Sequence, residues 1–180
     1  MRILKLLSLL FLISCVFACA SEQPKQKDGQ IVEFDSIFRE DTTGLIRGSA
    51  MGDLPEDIVN SEHAEPVINS DTLVEYEYAL HLKTGNADAR LYYTFDEFGL
   101  FEVQIDLYPE TEDAAKALKL EIEKELTAKY GDSKELGSLK RWTTFSRSNS
   151  LVEITLSNES ADFGKPFISL NYLEPLPDEI

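Results

Sequence analysis

Between residues 73 and 108 the chain alternates apolar and polar side chains in three successive runs. The runs read "LVEYEYALHL", "DARLYYTFD" and "LFEVQIDLY". In a β-strand, successive side chains point to opposite faces, so an alternation with a period of two residues puts the apolar side chains on one face. Each run therefore predicts a β-strand with one buried face and one face in water. The turn-forming residues Gly85-Asn86 and Glu97-Phe98-Gly99 separate the runs and are typical of hairpins.

A helical period replaces this alternation after residue 110. Apolar residues recur at every third or fourth position and form one stripe, made of Ala115, Leu118, Ile122, Leu126 and Tyr130. We expect Thr111 to cap this helix and Gly131 to end it. A shorter helix is predicted within "GDLPEDIVNSE", where Asp53 and Glu56 have the spacing of a capping box.

The last part of the chain returns to alternation in "KRWTTFS", "LVEITLS" and "FISLNYL", and we assign Trp142 to the core. The predicted order is therefore short helix, three strands, long helix, three strands, which suggests a duplicated helix–three-strand unit. Runs of alternating strands favour an α+β fold, in which an antiparallel sheet carries helices on one face and water on the other. We expect a single domain over residues 31–175.

This layout resembles the small β-lactamase-inhibitor-protein-like folds, which also occur in outer-membrane-assembly lipoproteins. The resemblance lies in the element order and in "MGDLPEDIV", residues 51–59, which is similar to the glycine-led helix opening of those folds. It implies a binding role rather than catalysis, although likeness of fold alone is a weak guide to function.

The N-terminus has the pattern of a secretory signal peptide. Arg2 and Lys5 precede an uncharged apolar stretch from Leu6 to Ala18. This stretch is shorter than the roughly 20 residues that span a bilayer, and a small residue precedes the cysteine that follows. We therefore predict a signal peptide over residues 1–18.

Two cysteines follow small residues in a way that resembles the lipobox of bacterial lipoproteins: Cys15 in "LISC" and Cys19 in "VFAC". We favour Cys19 as the lipid attachment site, with Cys15 as the alternative, because a polar stretch begins directly after Cys19. Residues 19–30 then read as a lipidated flexible tether. The resemblance implies a palmitate-type anchor to a bacterial membrane. The resemblance also implies that the periplasmic side of the outer membrane is favoured over the inner membrane, because Ala20 is not an aspartate.

Net charge limits the classes of partner. The chain carries a formal charge of −16 at pH 7, and removal of the signal peptide would make the mature chain more negative because it takes away only Arg2 and Lys5. Such a surface repels phosphate groups, so we expect no nucleic-acid partner. It also repels anionic lipid, so contact with the membrane is expected only through the lipid anchor.

No pattern of a catalytic or metal site stands out. His63 and His81 have no histidine or cysteine neighbour at ligand spacing, and the glycine-rich motifs for phosphates and dinucleotides are missing from the sequence. We therefore expect no catalytic residues, no metal, no cofactor and no enzymatic activity. Carboxylates are plentiful, so a hydrolase that uses a carboxylate pair is the third hypothesis.

The sequence thus predicts an acidic, non-enzymatic envelope lipoprotein that acts as a binding or assembly module for an unknown protein or envelope component. The alternative is an inhibitor or immunity-type lipoprotein that binds a basic protein target. The wet face of the sheet is the expected binding surface, with Tyr92 as an aromatic anchor. The candidate partner-binding residues are Glu75, Glu77, Arg90, Tyr92, Glu102, Gln104 and Asp106.

Overall fold

The computed structural model describes residues 30–33, 37, 45–62, 64–83 and 85–175. The helices are α1 (Pro55–Ser61), α2 (Glu112–Tyr130) and α3 (Ser160–Phe163). The strands are β1 (Gln30–Glu33), β2 (Ile68–Asn69), β3 (Leu73–Leu82), β4 (Gly85–Asp96), β5 (Gly99–Pro109), β6 (Lys134–Leu136), β7 (Leu139–Phe145), β8 (Leu151–Asn158) and β9 (Ile168–Leu173). The signal peptide, both lipobox cysteines, residues 19–29 of the tether and His63 lie outside the described residues.

These strands form one sheet in the order β1-β3-β4-β5-β9-β8-β7-β6, and β2 pairs with the start of β3. The pairs are antiparallel, except that β1 runs parallel to β3. The predicted α+β class is confirmed. The two three-stranded meanders, β3–β5 and β7–β9, meet through their third strands, as two copies related by a twofold axis would, and the duplication itself stays a prediction.

The core lies on one face of the sheet. Alternate strand residues, such as Tyr76, Leu91, Ile105 and Leu170, are almost completely buried there. They form a single apolar cluster with residues of α1 and α2, among them Ile58, Ala115, Leu118, Ile122 and Leu126. Because both helices contribute to this one cluster, both pack on the same face of the sheet, as predicted.

Trp142 on β7 belongs to the same cluster and is 2% exposed, so its assignment to the core is confirmed. Full burial of a large apolar side chain contributes about 1.5–3 kcal/mol relative to exposure. Burial of the many apolar side chains on this face therefore stabilises the sheet, and the opposite face is left for polar residues.

Helix α2 begins and ends where the sequence predicts. The Thr111 hydroxyl accepts a hydrogen bond from the Ala114 amide at 3.1 Å, which satisfies one of the amide groups left without a partner in the first helical turn. The helix ends at Tyr130, and the following Gly131 has φ = +84°. A side chain with a Cβ is disfavoured at that angle, so glycine stops the helix there.

The predicted cap of the short helix is wrong. Asp53 accepts a hydrogen bond from the Ala50 amide at 2.7 Å, within the loop before α1. Asp57 takes the capping role, since its carboxylate accepts from the Leu54 amide at 3.0 Å. The sequence offers several acids around Pro55, and the turn at residues 50–53 decides which of them reaches the helix start.

The loop before α1 passes very close to the hairpin between β4 and β5. The Gly52 amide donates to the Leu100 carbonyl at 2.8 Å, and the Leu100 amide donates to the Asp53 carbonyl at 2.8 Å. Gly99 has φ = +110°, and a Cβ added to it would lie 2.5 Å from the Gly52 carbonyl oxygen. Only glycine fits this crossing without movement of the backbone.

Several short elements escaped the sequence prediction. Strand β1 begins at Gln30, which was assigned to the tether, and the structure adds β2 and β6 at the edges of the sheet. The segment from Asn158 to Gly164 contains the helical turn α3, which the sequence does not predict. These elements have two to four residues, which is too short for a period to appear in the sequence.

Candidate interaction surface

The face of the sheet opposite the helices carries polar residues, and we call it the polar face. Strand register aligns them in rows that cross the sheet. One row contains Glu75, Tyr92, Gln104 and Asn171, the next contains Glu77, Arg90, Asp106 and Ser169, and a third contains Thr94, Glu102, Leu173 and Glu153. Neighbouring strands lie about 4.8 Å apart and alternate residues about 6.8 Å apart, so these side chains form one continuous patch.

The register therefore brings together on the polar face the seven residues singled out from the sequence. Pairing of the strands in chain order would place β7 beside β5, and this order is wrong beyond β5, because β9 lies there instead. The difference adds Ser169 and Asn171 to the middle of the patch. Alternation within "FISLNYL" already separates both residues from the core positions, but only the strand order shows that they lie beside Asp106 and Gln104.

Asp106 is the centre of a hydrogen-bond network. Its carboxylate accepts from Gln104 Nε2 at 2.9 Å, from Ser169 Oγ at 3.2 Å and from the Tyr108 hydroxyl at 3.4 Å. Asp106 is only 6% exposed. Burial raises the pKa of this carboxyl group even though the three donors act in the opposite direction, so the negative charge there lacks full compensation.

Both arginines of the patch are already engaged with carboxylates. Arg90 pairs with Glu77 at 3.0 Å, and Arg141 pairs with Glu153 at 3.2 Å. Glu102 accepts a hydrogen bond from Asn171 Nδ2 at 2.8 Å. These contacts orient the charged groups toward one another, and the Arg90–Glu77 pair lies in water with its side chains 48% and 44% exposed.

Glu75 differs from these acids. It is 7% exposed, and its cross-strand neighbours are Ile68 on β2 and Tyr92 on β4. No described residue donates a hydrogen bond to its carboxylate or forms an ion pair with it. Burial raises its pKa, and the nearby charge of Arg90 only partly offsets that effect.

Aromatic residues border the patch next to Asp106. The Tyr108 and Phe167 rings stack with centroids 5.1 Å apart, and Phe163 on α3 lies 4.5 Å from Phe167. Lys165 Nζ lies 4.4 Å from the centroid of the Tyr108 ring. Phe163 is 56% exposed, so this end of the polar face offers apolar area beside the acids, a combination common in protein interfaces.

A second polar cluster lies on the core side of the sheet, and no pattern in the sequence predicts it. Arg47 donates to both carboxylate oxygens of Glu62 at 2.6 Å. The hydroxyls of Tyr93 and Tyr78 donate to the same carboxylate at 2.7 Å and 3.1 Å, and the Arg47 guanidinium lies 5.2 Å from the Tyr78 ring centroid. We call these four residues the buried ionic cluster.

Electrostatics within the buried ionic cluster favour the charged pair. Burial alone would raise the pKa of Glu62, but the hydrogen bond and the charge of Arg47 outweigh it and lower that pKa. Burial would also lower the pKa of Arg47, and Glu62 reverses that effect. Arg47 and Glu62 are each 6% exposed. The cluster therefore joins the loop before α1 and the end of α1 to strands β3 and β4, and it has little access to a ligand.

Of the two histidines in the chain, the structure describes only His81. His81 Nδ1 lies 3.2 Å from Asn86 Oδ1 on the polar side of the β3–β4 hairpin, and His63 is outside the described residues. Within residues 45–62, 64–83 and 85–175, no three histidine, cysteine, aspartate or glutamate side chains are placed to hold a metal ion. Over the same part of the chain, no helix combines the length and apolar character needed to cross a membrane.

Comparison with known proteins adds no relative: no family model, curated protein or solved structure matches this chain.

Proposed function

We propose that the chain is a lipid-anchored binding or assembly module of a bacterial cell envelope, without catalytic activity, that holds its partner on the polar face. The observation that carries this proposal is the meeting of Glu75, Glu77, Arg90, Tyr92, Glu102, Gln104 and Asp106 in one patch opposite the helices. A half-buried tyrosine among fixed charged groups is a common centre of a protein interface.

Rigidity supports binding by this surface. Tyr92 lies between Leu91 and Tyr93 along β4, and both neighbours are at most 1% exposed. Gln104 likewise lies between Val103 and Ile105, which are equally buried. Because these neighbours are packed in the core, the backbone that carries Tyr92 and Gln104 is held in place before a partner binds, and this preorganisation favours affinity.

The lipid anchor is proposed from the sequence alone. Because β1 begins at Gln30, the proposed tether after Cys19 has 10 residues, and a flexible chain of that length would have a root-mean-square reach of roughly 16–19 Å. Such a length holds the domain beside its membrane and lets it turn toward partners there. The net negative charge would keep the polar face away from anionic headgroups.

A hydrolase that uses paired carboxylates gains less support. The acids with raised pKa, Glu75 and Asp106, lie two strands and one row apart, which separates their backbones by about 12 Å. Each is also embedded in its own surroundings, Glu75 between Ile68 and Tyr92, and Asp106 within its three donors. This arrangement favours separate recognition points over joint acid–base chemistry.

The second candidate function is an inhibitor or immunity-type lipoprotein that blocks a basic target protein. The excess of acids on the polar face favours it, because Glu75 and Asp106 have no basic side chain paired with them in the described part of the chain. The two candidates differ in the partner recovered: resident envelope machinery supports the assembly module, and a secreted basic toxin or enzyme supports the inhibitor.

Site-specific photocrosslinking in native membranes tests the proposed surface. The photoreactive amino acid p-benzoylphenylalanine replaces Thr94 on the polar face, two residues from Tyr92, and a matched control carries it at Leu120, which is 66% exposed on α2. We expect a discrete crosslinked partner from position 94 and none from position 120. Crosslinks confined to position 120, or the same products from both positions, would rule out the polar face as the binding surface.

A further inference from the structure

Neighbouring residues cover most of Glu75, but its carboxylate oxygens still reach the surface and no described residue pairs with them. It is 7% exposed and receives no side-chain hydrogen bond from the described residues. A buried carboxylate normally has a hydrogen-bond donor or a cation beside it, because loss of hydration is otherwise unfavourable. The position therefore has one strong interaction left to make.

The side chains around Glu75 define what could make that interaction. Ile68 and Tyr92 flank it on the two neighbouring strands. Ile68 is 40% exposed and Tyr92 is half-buried, so a group that approaches from solvent would meet an aliphatic wall, a carboxylate and an aromatic ring together. A guanidinium group matches this set, since it forms paired hydrogen bonds with a carboxylate and packs its flat face on an aromatic ring.

The chain's own nearby arginine does not fill this position. Arg90 is one row away and forms its ion pair with Glu77 at 3.0 Å. The charge of Arg90 still acts on Glu75 and Tyr92, and Glu77 adds a second negative charge beside Glu75. Arg90 is thus shared between Glu75 and Glu77, so the net charge of these three side chains stays negative.

We propose that Glu75, Ile68 and Tyr92 form a seat for an arginine side chain of a basic partner protein. This inference rests on the proposed function of the polar face and specifies the chemistry of its partner. The partner would place one arginine between Ile68 and Tyr92, with its guanidinium on the Glu75 carboxylate. Charge complementarity with the acidic surface would guide its approach.

A titration with small probes tests the seat directly. The protein is purified from membranes in detergent, as the cell processes it, and backbone amides are followed by NMR while N-acetyl-arginine methylamide is added. N-acetyl-citrulline methylamide is the control probe, because it has nearly the same shape and no charge. We expect saturable shifts at Ile68, Glu75 and Tyr92 with the arginine probe only.

Two variants separate the seat from general attraction to acids. Glu75→Gln should weaken binding of the arginine probe about tenfold, the loss expected for one charge-assisted hydrogen-bonded pair. Glu125→Gln removes the same charge from the exposed side of α2 and should leave the affinity unchanged. Shifts that spread over the acidic surface without saturation, or that persist in Glu75→Gln, would overturn the proposal.

The crosslinking experiment distinguishes failure of the seat from failure of the proposed function. If position 94 captures a partner equally well with and without Glu75→Gln, the polar face binds but the seat is wrong. If position 94 captures no partner in either background, the proposed function is wrong, and the probe titration alone decides whether the seat exists. A fall in capture with Glu75→Gln but not with Glu125→Gln supports both.

Discussion

Replacement of Arg47 by methionine tests how strongly the buried ionic cluster holds the fold. Arg47→Met replaces the methylene part of the arginine side chain by an apolar chain of similar length. It removes the guanidinium, which donates two hydrogen bonds to Glu62 at 2.6 Å. Loss of one partner from a buried pair typically destabilises a protein by about 3–5 kcal/mol. Tyr78 and Tyr93 would still donate to Glu62, and the carboxyl group can take up a proton, so we expect the lower end, about 3 kcal/mol.

A domain of this size loses roughly 2–4 °C of melting temperature per kcal/mol, so Arg47→Met should melt about 6–12 °C lower. Trp142 is the only tryptophan and is buried in β7, far along the sheet from the cluster, so its fluorescence reports unfolding of that distant part of the domain. Near-ultraviolet circular dichroism of the tyrosines reports on the sheet beside the cluster. Equal shifts by both probes would indicate one cooperative unit.

The stability that Arg47→Met loses should depend on pH in a defined direction. The native pKa of Glu62 is lowered, so the pair contributes stability above the unfolded value near 4.5, and that contribution disappears as the pH falls through the native value. Without Arg47, burial should raise the Glu62 pKa instead. The deficit of Arg47→Met should therefore be largest near neutral pH and shrink toward pH 4.

Two further variants make the result decisive. Lys116→Met removes the exposed ion pair with Asp113 and should change stability by less than about 0.5 kcal/mol. Arg47→Met combined with Glu62→Leu removes both charges, and much of the lost stability should return because no unpaired buried charge remains. If Arg47→Met melts within about 1 °C of the parent protein, or if the double variant is no better, the pair does not hold the fold as argued.

Three other predictions address the turn, the polar face and the anchor. Gly99→Ala should destabilise the domain by more than about 2 kcal/mol in urea unfolding, because φ is +110° and a Cβ would lie 2.5 Å from a backbone oxygen. Gly137→Ala is the control, with φ = +66° and no atom within 4 Å, and it should destabilise the domain by about 1 kcal/mol. Equal losses of stability in the two variants would contradict the close approach at Gly99. Glu75→Gln should leave stability unchanged or increased at pH 7, because a raised native pKa makes the charged form unfavourable as the pH rises above about 4.5, and a melting temperature lowered by many degrees would refute this. Palmitate labelling should be lost in Cys19→Ala and kept in Cys15→Ala, and the reverse result would move the anchor to Cys15.

The limits of the sequence prediction follow from the range over which each signal acts. Alternation and caps are local, so the strands around Tyr92 and the start of α2 at Thr111 were predicted correctly. The pairing of β5 with β9 joins residues more than 60 positions apart, such as Gln104 and Asn171, and no local pattern specifies it. The faces were still predicted correctly because alternation assigns each residue to a face whichever strands become neighbours.

The buried ionic cluster shows why a second class of feature stayed hidden. Arg47 lies in a loop with φ = +53°, and Glu62 follows the last residue of a short helix. In the sequence both look like surface charges, because charged residues are seldom buried. Their burial depends on Tyr78 and Tyr93, which alternation correctly assigned to the core but whose hydroxyls then require polar partners within it.

Buried carboxylates on the two faces of the sheet have pKa shifts in opposite directions, and this difference supports a binding role for the polar face. On the core side Glu62 has an arginine and two tyrosine hydroxyls, and its pKa is lowered. On the polar face Glu75 and Asp106 are almost as buried, yet their pKa values are raised. A fold that can fully compensate one buried carboxylate leaves two others undercompensated where solvent and a partner can reach them. A cationic group supplied by a partner would complete those interactions, so the unfavourable burial of these charges in the unbound protein becomes a source of selectivity for a basic surface.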